Sequence, residues 1–392
     1  MRRGDRRPDP LNTLVGELYA AATDAEQWGA FLASLSRETQ SVTAHLAFHD
    51  TTDGHGAMMS HFGLGADAVQ EYPSWAPRNV YLEACQPLMH TGSVVRAPLP
   101  RRHLLESSFH RDFVSKHVRA CDSLGICIVR EGDTFAFASV MRALDAPDYG
   151  AEDNDVLHHL VPHLQRAFDI YRRLAEVDLE RSAAAEVLDR LPTAIFLIGD
   201  DRCVLFHNAA ARRILDRRDG LALTRDGRLT TMGFTGRREL ESSIAEACLT
   251  GTGRSTSPGG AFRLSRSGAT HPYGIVVSPL GLRSASFVSR RPAAVVLIDD
   301  PDRPPPPDRL LQKMFGLTPA QAALAALLAG GETLEDAADR LAISRNTARW
   351  TLKHVFLRTG TSRQSELVRL IGTTSLGASL SDENGAKEKS GR

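Results

Sequence analysis

Several things are scarce or missing in this 392-residue chain, and each absence narrows the field. Cysteine is rare: the five, at positions 85, 121, 127, 203 and 248, are widely spaced and include no Cys-x-x-Cys pair. An odd count at such spacing argues against a disulfide framework and against a structural zinc site. It fits a reducing cytoplasm, which is the expected compartment. No apolar run approaches the roughly eighteen residues of a membrane-spanning helix, so no membrane partner is expected. The opening stretch MRRGDRRPDP is basic with no apolar segment behind it, unlike a secretory signal. An excess of one charge is missing too, since 47 Lys+Arg balance 47 Asp+Glu. The chain as a whole is therefore no basic nucleic-acid coat, and any surface for DNA has to be local. No Gly-rich phosphate loop occurs, and no Ser/His/Asp set has the spacing of a catalytic motif. Neither enzymatic activity nor a bound cofactor is expected.

What is present is globular material, 42% hydrophobic and 24% charged, in a length that suits two or three domains. Asp299-Asp300-Pro301-Asp302-Arg303 followed by Pro304 to Pro307 can be neither helix nor central strand. Residues 301–309 therefore read as an extended, semi-rigid linker. Residues 1–10 and the small, polar stretch 373–392 read as disordered. Ala175 to Arg190 is charged, rich in helix formers and free of turn residues, which predicts a connecting helix over 176–190.

Between these marks lie two alternating blocks. In 11–175, Leu11–Ala22 and Trp28–Leu35 are patterned as amphipathic helices. Val42–Phe48 and Ala57–Phe62 are patterned as strands around Asp53-Gly54-His55-Gly56. Leu124–Val129 and Thr134–Val140 form a hairpin around Glu131-Gly132-Asp133. Leu157, Leu160, Leu164, Ala167, Tyr171 and Leu174 then step by threes and fours, a short coiled-coil-like seam that Pro162 should kink. In 191–300, strands Ala194–Ile198 and Val204–Phe206 flank the turn Gly199-Asp200-Asp201, and Asn208 caps a helix running through Leu215. A helical stretch Arg238–Leu249 and strands Ala261–Leu264, Tyr273–Val277 and Ala294–Ile298 follow. Both blocks have the α+β pattern of a sensory domain, antiparallel sheet with helices.

The stretch 310–372 reads as four short capped helices. Thr318-Pro319-Ala320-Gln321 can close a reciprocal cap at a helix that stops at Gly330-Gly331. Thr333 with Asp336 starts a second helix through Leu341, Ser344 a third ending at Gly360, and Thr361 with Gln364 a fourth. Only a couple of residues separate the second and third, the sharp crossing of a helix-turn-helix. On the third, Ala348, Leu352 and Val355 share an inward stripe. Arg345, Arg349 and Lys353 fall four apart on another stripe, with Asn346 and Trp350 beside them. From Arg340 to Arg369 there are seven Lys/Arg against one acid, Glu366, whereas Glu332 to Asp339 holds four acids and no base. A helix that is basic outside and small at its first turn can enter the major groove. Arginine there bonds bidentately to guanine and asparagine to adenine. Trp350 either covers the edge of the core or joins that contact.

This segment is similar to the LuxR-type helix-turn-helix family. The residues that carry the likeness are Leu317-Thr318-x-x-Gln321, Gly330-Gly331, Asp336-x-Ala338-x-x-Leu341-x-Ile343-Ser344-x-x-Thr347-Ala348-Arg349 and Arg358-Thr359-Gly360. Three positions depart from the family's usual residues. Ala320-Gln321 replaces its Arg-Glu pair, Asp336 its glutamate, and Ala348 its valine, the last costing roughly 1 kcal/mol if nothing fills the space. The resemblance implies that Arg349 and Lys353 face the groove, that Thr347 and its neighbours hold phosphates, and that the fourth helix helps dimerisation. SSFHRDFVSKHV and LHHLVPHLQRAFDIYRRL resemble the GAF- or PAS-like sensory regions often fused to this module. LPTAIFLIGDDRCVLFHNAAARRIL resembles the opening of a PAS domain. Cys203 lies in Arg202-Cys203-Val204, not in the N-C-R-F-like run of photosensory flavin domains.

Together these readings describe a multidomain transcriptional regulator with α+β GAF/PAS-like sensing domains and an all-α helix-turn-helix. Its expected partners are double-stranded DNA, a second copy of itself, RNA polymerase and a small-molecule signal of unknown identity. A sigma-factor-like promoter reader shares much of the pattern, but no aromatic-rich melting helix lies upstream. A metal sensor or enzyme in the N-terminal half is a further alternative, resting on Asp155, His159 and His163, which share one helical face at a spacing that suits zinc or non-haem iron. The same residues read more simply as ordinary positions on a signalling helix. Metal ligation is therefore not part of the expected site.

Overall fold

The computed structural model describes residues 9–233, 236–266, 271–281, 290–303 and 305–374. The expected disorder of residues 1–8 and 375–392 lies outside these. Asp9 and Pro10, by contrast, open the first helix, and Thr373 and Thr374 close the last. The chain divides into two compact units, Met1–Glu180 and Arg181–Arg392.

In the first unit α1 (Pro10–Thr23) and α2 (Trp28–Glu38) precede β1 (Thr43–Asp50) and β2 (Gly56–Phe62). A segment without a readable period then folds into α3 (Ala66–Trp75), α4 (Val80–Cys85), β3 (Val94–Arg96), α5 (Arg101–Glu106), a π-helical turn Phe109–Val114 and α6 (Ser115–His117). Strands β4 (Ala120–Glu131) and β5 (Thr134–Ala143) complete an antiparallel sheet of order β2-β1-β5-β4-β3, and α7 (Ala151–Asp189) leaves it.

Alternation along the strands sorts the two faces. Leu46, Leu124, Ile126 and Val140 pack against Leu14, Leu18, Phe31 and Leu32 of α1 and α2, and against Leu157, Leu160 and Leu164 of α7. The expected seam is therefore first used inside the unit, as a wall of its own core. Further along α7 its apolar residues are exposed, Leu174 at 44% and Val177 at 59%. Helix α7 continues through Pro162, whose ring lies on the exposed face while the leucines before and after it are packed. The helix read as a separate connector over 176–190 is the continuation of this same element.

In the second unit β6 (Ala194–Gly199), β7 (Val204–His207), α8 (Ala209–Arg217), β8 (Leu221–Leu223), β9 (Leu229–Thr231), α9 (Arg237–Gly251), β10 (Gly260–Leu264), β11 (Tyr273–Pro279) and β12 (Pro292–Asp299) build a sheet of order β10-β11-β12-β6-β7 and a small β8-β9 hairpin. Asp200-Asp201 is hairpin-turn chemistry: the Asp201 carboxylate accepts from the Cys203 amide at 2.9 Å, and Arg202 has φ +66°. Asn208 does more than cap α8. Fully buried, it accepts from Ala211 and Ile195 amides, both at 3.0 Å, and donates to the Leu188 and Thr193 carbonyls, both at 2.9 Å.

Five helices follow: α10 (Asp308–Phe315), α11 (Pro319–Ala329), α12 (Leu334–Arg340), α13 (Arg345–Thr359) and α14 (Gln364–Thr374). The first was not foreseen, and it takes the last two residues of the expected linker, with Leu311 buried in the helical core. Pro306 is buried as well, and Pro305 to Pro307 border a groove with Ala323, Ala326 and Leu327 of α11. The prolines are thus packed against the helices, since their rings are apolar surface as well as stiff backbone. The other end of the linker is held too, because Asp300 and Asp302 bond to Arg266 at 2.7 and 3.4 Å. Thr318 makes the reciprocal cap with Gln321, and Thr333 and Ser344 cap α12 and α13. At α14 the pairing differs from expectation: Ser362, not Thr361, engages a later side chain, Glu366, at 2.8 and 3.0 Å.

Candidate functional site

The turn between α12 and α13 is short, and Ala342 within it has φ +53°, a left-handed conformation that alanine adopts at a cost of about 1 kcal/mol. Ser344 then accepts from the Thr347 amide at 3.0 Å and starts α13, and Gly360 at φ +68° ends it. Ala348, Thr351, Leu352 and Val355 are buried along one side of α13. Ala337 and Ala338 of α12 are also fully enclosed, so small residues line the seat of this helix.

All six residues singled out for DNA, Arg345, Asn346, Thr347, Arg349, Trp350 and Lys353, are exposed. Their present partners differ. Arg345 reaches Glu335 of α12 at 2.9 Å, with both side chains more than half exposed. The Thr347 hydroxyl lies 2.8 Å from that of Ser344. Among the described residues Arg349 and Lys353 have no acidic partner within ion-pair distance. Trp350 is 63% exposed, so it does not cover the core; its ring lies against His354, centroids 3.9 Å apart. His354 and the exposed Leu357 were missed by sequence reasoning, although both follow Trp350 at helical spacing.

A second candidate site lies on the sheet face of the first unit that is turned away from α1, α2 and α7. Strand register aligns His61, His45, Ser139, Gly125 and Val95 in one row across β2, β1, β5, β4 and β3. His45 and Ser139 stand directly opposite each other, so their side chains leave the same face. Over this row the aromatic segment from α3 to α6 forms a roof, with Tyr72, Phe109 and Phe113 in its core. Between floor and roof is a cavity of about 70 Å³ that opens to solvent. It is lined mainly by apolar side chains, and no Asp, Glu, Lys or Arg is among them.

Most polar groups at this cavity already have partners. Tyr72 Oη is 2.6 Å from His49 Nε2, and Tyr81 Oη is 3.0 Å from His110 Nδ1. Asn79 donates to Tyr72 Oη at 3.2 Å and accepts from the Leu82 amide. His45 is the exception, with Nδ1 buried and, among the described residues, without a partner. An unsatisfied buried polar atom costs about 1–3 kcal/mol. Burial, reinforced by His49 and His61 nearby, pushes the His45 imidazole down to about 4, so it is neutral at pH 7. Burial likewise pushes the Cys85 thiol at the cavity wall up to about 11, away from the reactive thiolate.

Asp155, His159 and His163 are not brought together. His159 Nδ1 is turned back to the Asp155 carbonyl at 2.7 Å, and His163 Nδ1 lies 3.3 Å from Tyr19 Oη. Among the described residues no group of three potential ligands is placed to hold a metal ion, and no helix is long and apolar enough to cross a membrane.

No protein-family model matches the chain, and no curated protein does. Several solved structures are similar to part of it. The VqsR LBD domain from Pseudomonas aeruginosa matches at 11% identity over 41% of this chain and 96% of that one, with a TM-score of 0.35. The GAF domain of a phosphoenolpyruvate-protein phosphotransferase from Coxiella burnetii matches at 15% identity over 43% and 97%, with a TM-score of 0.32. The phage VqmA–DPO complex matches at 14% identity over 51% and 92%, with a TM-score of 0.22. At this level none of them decides what this chain does.

Proposed function

We propose that this chain is a sequence-specific DNA-binding transcriptional regulator and not an enzyme. In this reading a GAF/PAS-like region (11–175) and a PAS-like region (191–300) sense a signal, and a LuxR-type helix-turn-helix (310–372) delivers the output. The observation that carries it is the division of α13 into a buried stripe and an exposed side bearing Arg345, Asn346, Thr347, Arg349, Trp350 and Lys353. A capped helix of this kind fits the major groove, with Arg349 and Lys353 turned to the bases and Thr347 and the first-turn amides to phosphate. Arg345 must leave Glu335 to join them. An exposed pair is worth about 0–1 kcal/mol, less than the charge-assisted phosphate bond that replaces it.

The active species is a homodimer in the cytoplasm that reads two-fold operators and acts on RNA polymerase. Leu174, Val177, Ala184 and Leu188 of α7 lie at heptad spacing and supply apolar surface for a second copy. Selection of bound sequences from random duplexes with the full-length protein tests the reading. Affinity should fall steeply with salt as counterions are released. Arg349→Ala should weaken the selected duplex by about 1–3 kcal/mol and relax preference at one base pair, and Lys353→Ala should relax preference at a neighbouring one. A folded full-length protein that retains no duplex at low ionic strength ends this reading.

A further inference from the structure

The cavity over β1, β5 and β4 is too particular to be a packing accident. Its floor would be closed by ordinary strand residues, yet the row that crosses it is His45, Ser139 and Gly125. Gly125 leaves the floor open. A Cβ there would approach the Ala138 carbonyl to 3.1 Å and Ser139 Cβ to 3.5 Å, and a larger side chain would continue into the void. Ser139 and Ser123 form a hydroxyl pair 3.0 Å apart, and Ser139 also lies 3.4 Å from the Leu124 carbonyl. With Ser139 turned to that carbonyl and Ser123 turned to Ser139, the Ser123 oxygen still accepts. With the pair reversed, Ser123 donates outward. His45 lines the cavity and is 9% exposed, and among the described residues its buried Nδ1 has no partner. Two polar features therefore stand ready at one end of a space whose other walls are Met58, Phe109, Phe113, Phe137 and Met141.

We infer that this cavity binds a compact, uncharged, ring-containing ligand whose single hydroxyl or carbonyl group is held by His45 and the Ser123–Ser139 pair. This deepens the reading of the first unit as the sensing end and rests on it. Absence of charge follows from the lining, since an ion would lose its hydration and meet no Asp, Glu, Lys or Arg in return. The neutral imidazole offers one donor and one acceptor, so hydroxyl and carbonyl groups are both served. Aromatic walls favour a flat apolar body. At about 70 Å³ the room is about half that of an engineered apolar cavity that takes benzene, so the ligand is no larger than one small ring, part of it in the open mouth. The roof's own polar groups are already paired, which confines hydrogen bonding to the floor.

The test is calorimetric titration of the full-length protein with four probes of one shape: para-cresol, toluene, para-toluate and para-methylbenzylammonium. Para-cresol should bind, toluene about tenfold more weakly for want of the hydrogen bond, and the two ions not at all. His45→Leu should reduce para-cresol to the level of toluene, and Gly125→Val should abolish both, with circular dichroism checking each fold. If His45→Leu does not fold, Ser139→Ala reads the same difference. Equal binding of an ion, an undiminished preference for para-cresol in the floor variants, or binding of none of the four overturns the inference. DNA binding is not read in this titration. A protein that takes para-cresol and ignores every duplex brings down the regulator and leaves the cavity standing; the reverse result brings down the cavity alone.

Discussion

The two sheets of this chain share one strand order, second-first-fifth-fourth-third counted within each. They treat polar groups in opposite ways. In the first, the row His61–His45–Ser139–Gly125–Val95 places small and neutral polar residues under a void. In the second, the corresponding row is His207–Phe196–Val296–Val277–Gly260. Its three central side chains are fully buried in a core shared with Leu240, Ile244 and Ala247 of α9. Just beyond the ends of β10 and β12 in the second sheet, charge is paired. Arg266, with a side chain 4% exposed, meets Asp219 at 2.6 Å and Asp300 at 2.7 Å, while Arg217 meets the other oxygen of Asp300 at 2.7 Å. Tyr273 donates to Asp219 at 2.6 Å, and its ring lies under the Arg266 guanidinium. Strand order alone therefore does not make a ligand site. The composition of one cross-strand row does.

The largest effect should come from breaking the paired side of this comparison. Arg266→Met removes the guanidinium that Asp219 and Asp300 share, leaving Tyr273 on the one and Arg217 on the other, and should destabilise the second unit by about 3–5 kcal/mol, read from hydrogen exchange of β11 and β12 amides in the full chain. A loss below about 1 kcal/mol would mean that these carboxylates are effectively solvated. Next comes Asn208→Ala, which removes a helix cap and three further buried hydrogen bonds and should cost the same unit about 2–4 kcal/mol. Asn208→Ser, which keeps the cap alone, should recover only part of that.

A pH effect sharpens the first sheet. Burial holds His45 and His49 down at about 4, against 6.5 for the unfolded residue. As pH falls below 6.5 the unfolded chain takes up protons that the folded unit refuses until about 4, so stability is lost through that window and is constant above it. The melting temperature of the first unit should decline between pH 7 and 4.5. His45→Leu should roughly halve the slope without lowering the melting temperature at pH 7, because an apolar side chain replaces an unpaired polar one. A pH slope unchanged in that variant would place the titration elsewhere.

Helix α13 and its neighbours were legible because each depends on residues within four positions of one another. Thr318 and Gln321, Thr333 and Asp336, and Ser344 and Thr347 all make local bonds. The inward stripe Ala348, Leu352 and Val355 is a helical period, and it is buried as that period requires. The strands were legible for the same reason, by alternation. Helix α10 was obscured by the prolines before it, and Arg345 carries no sign in the sequence that Glu335 will hold it. The cavity was hidden altogether. His45, Ser139, Gly125 and Ser123 are ordinary residues in three separate strands, and the aromatic residues of 66–117 fit neither a period of two nor one of 3.6.

Local chemistry in the chain decided where helices begin and end, which face each turns inward, and how charge divides between the acids of 332–339 and the bases of 340–369. Those outcomes follow from backbone hydrogen bonds and side-chain periods that close within a turn. Tertiary structure alone decided that Arg266 would find Asp219 and Asp300, that α7 would spend its first leucines on its own core, and that His45 would face Ser139 across the sheet. Each of these pairings joins residues tens of positions apart, and only strand register and packing, set by the whole of a unit at once, can bring such residues into line.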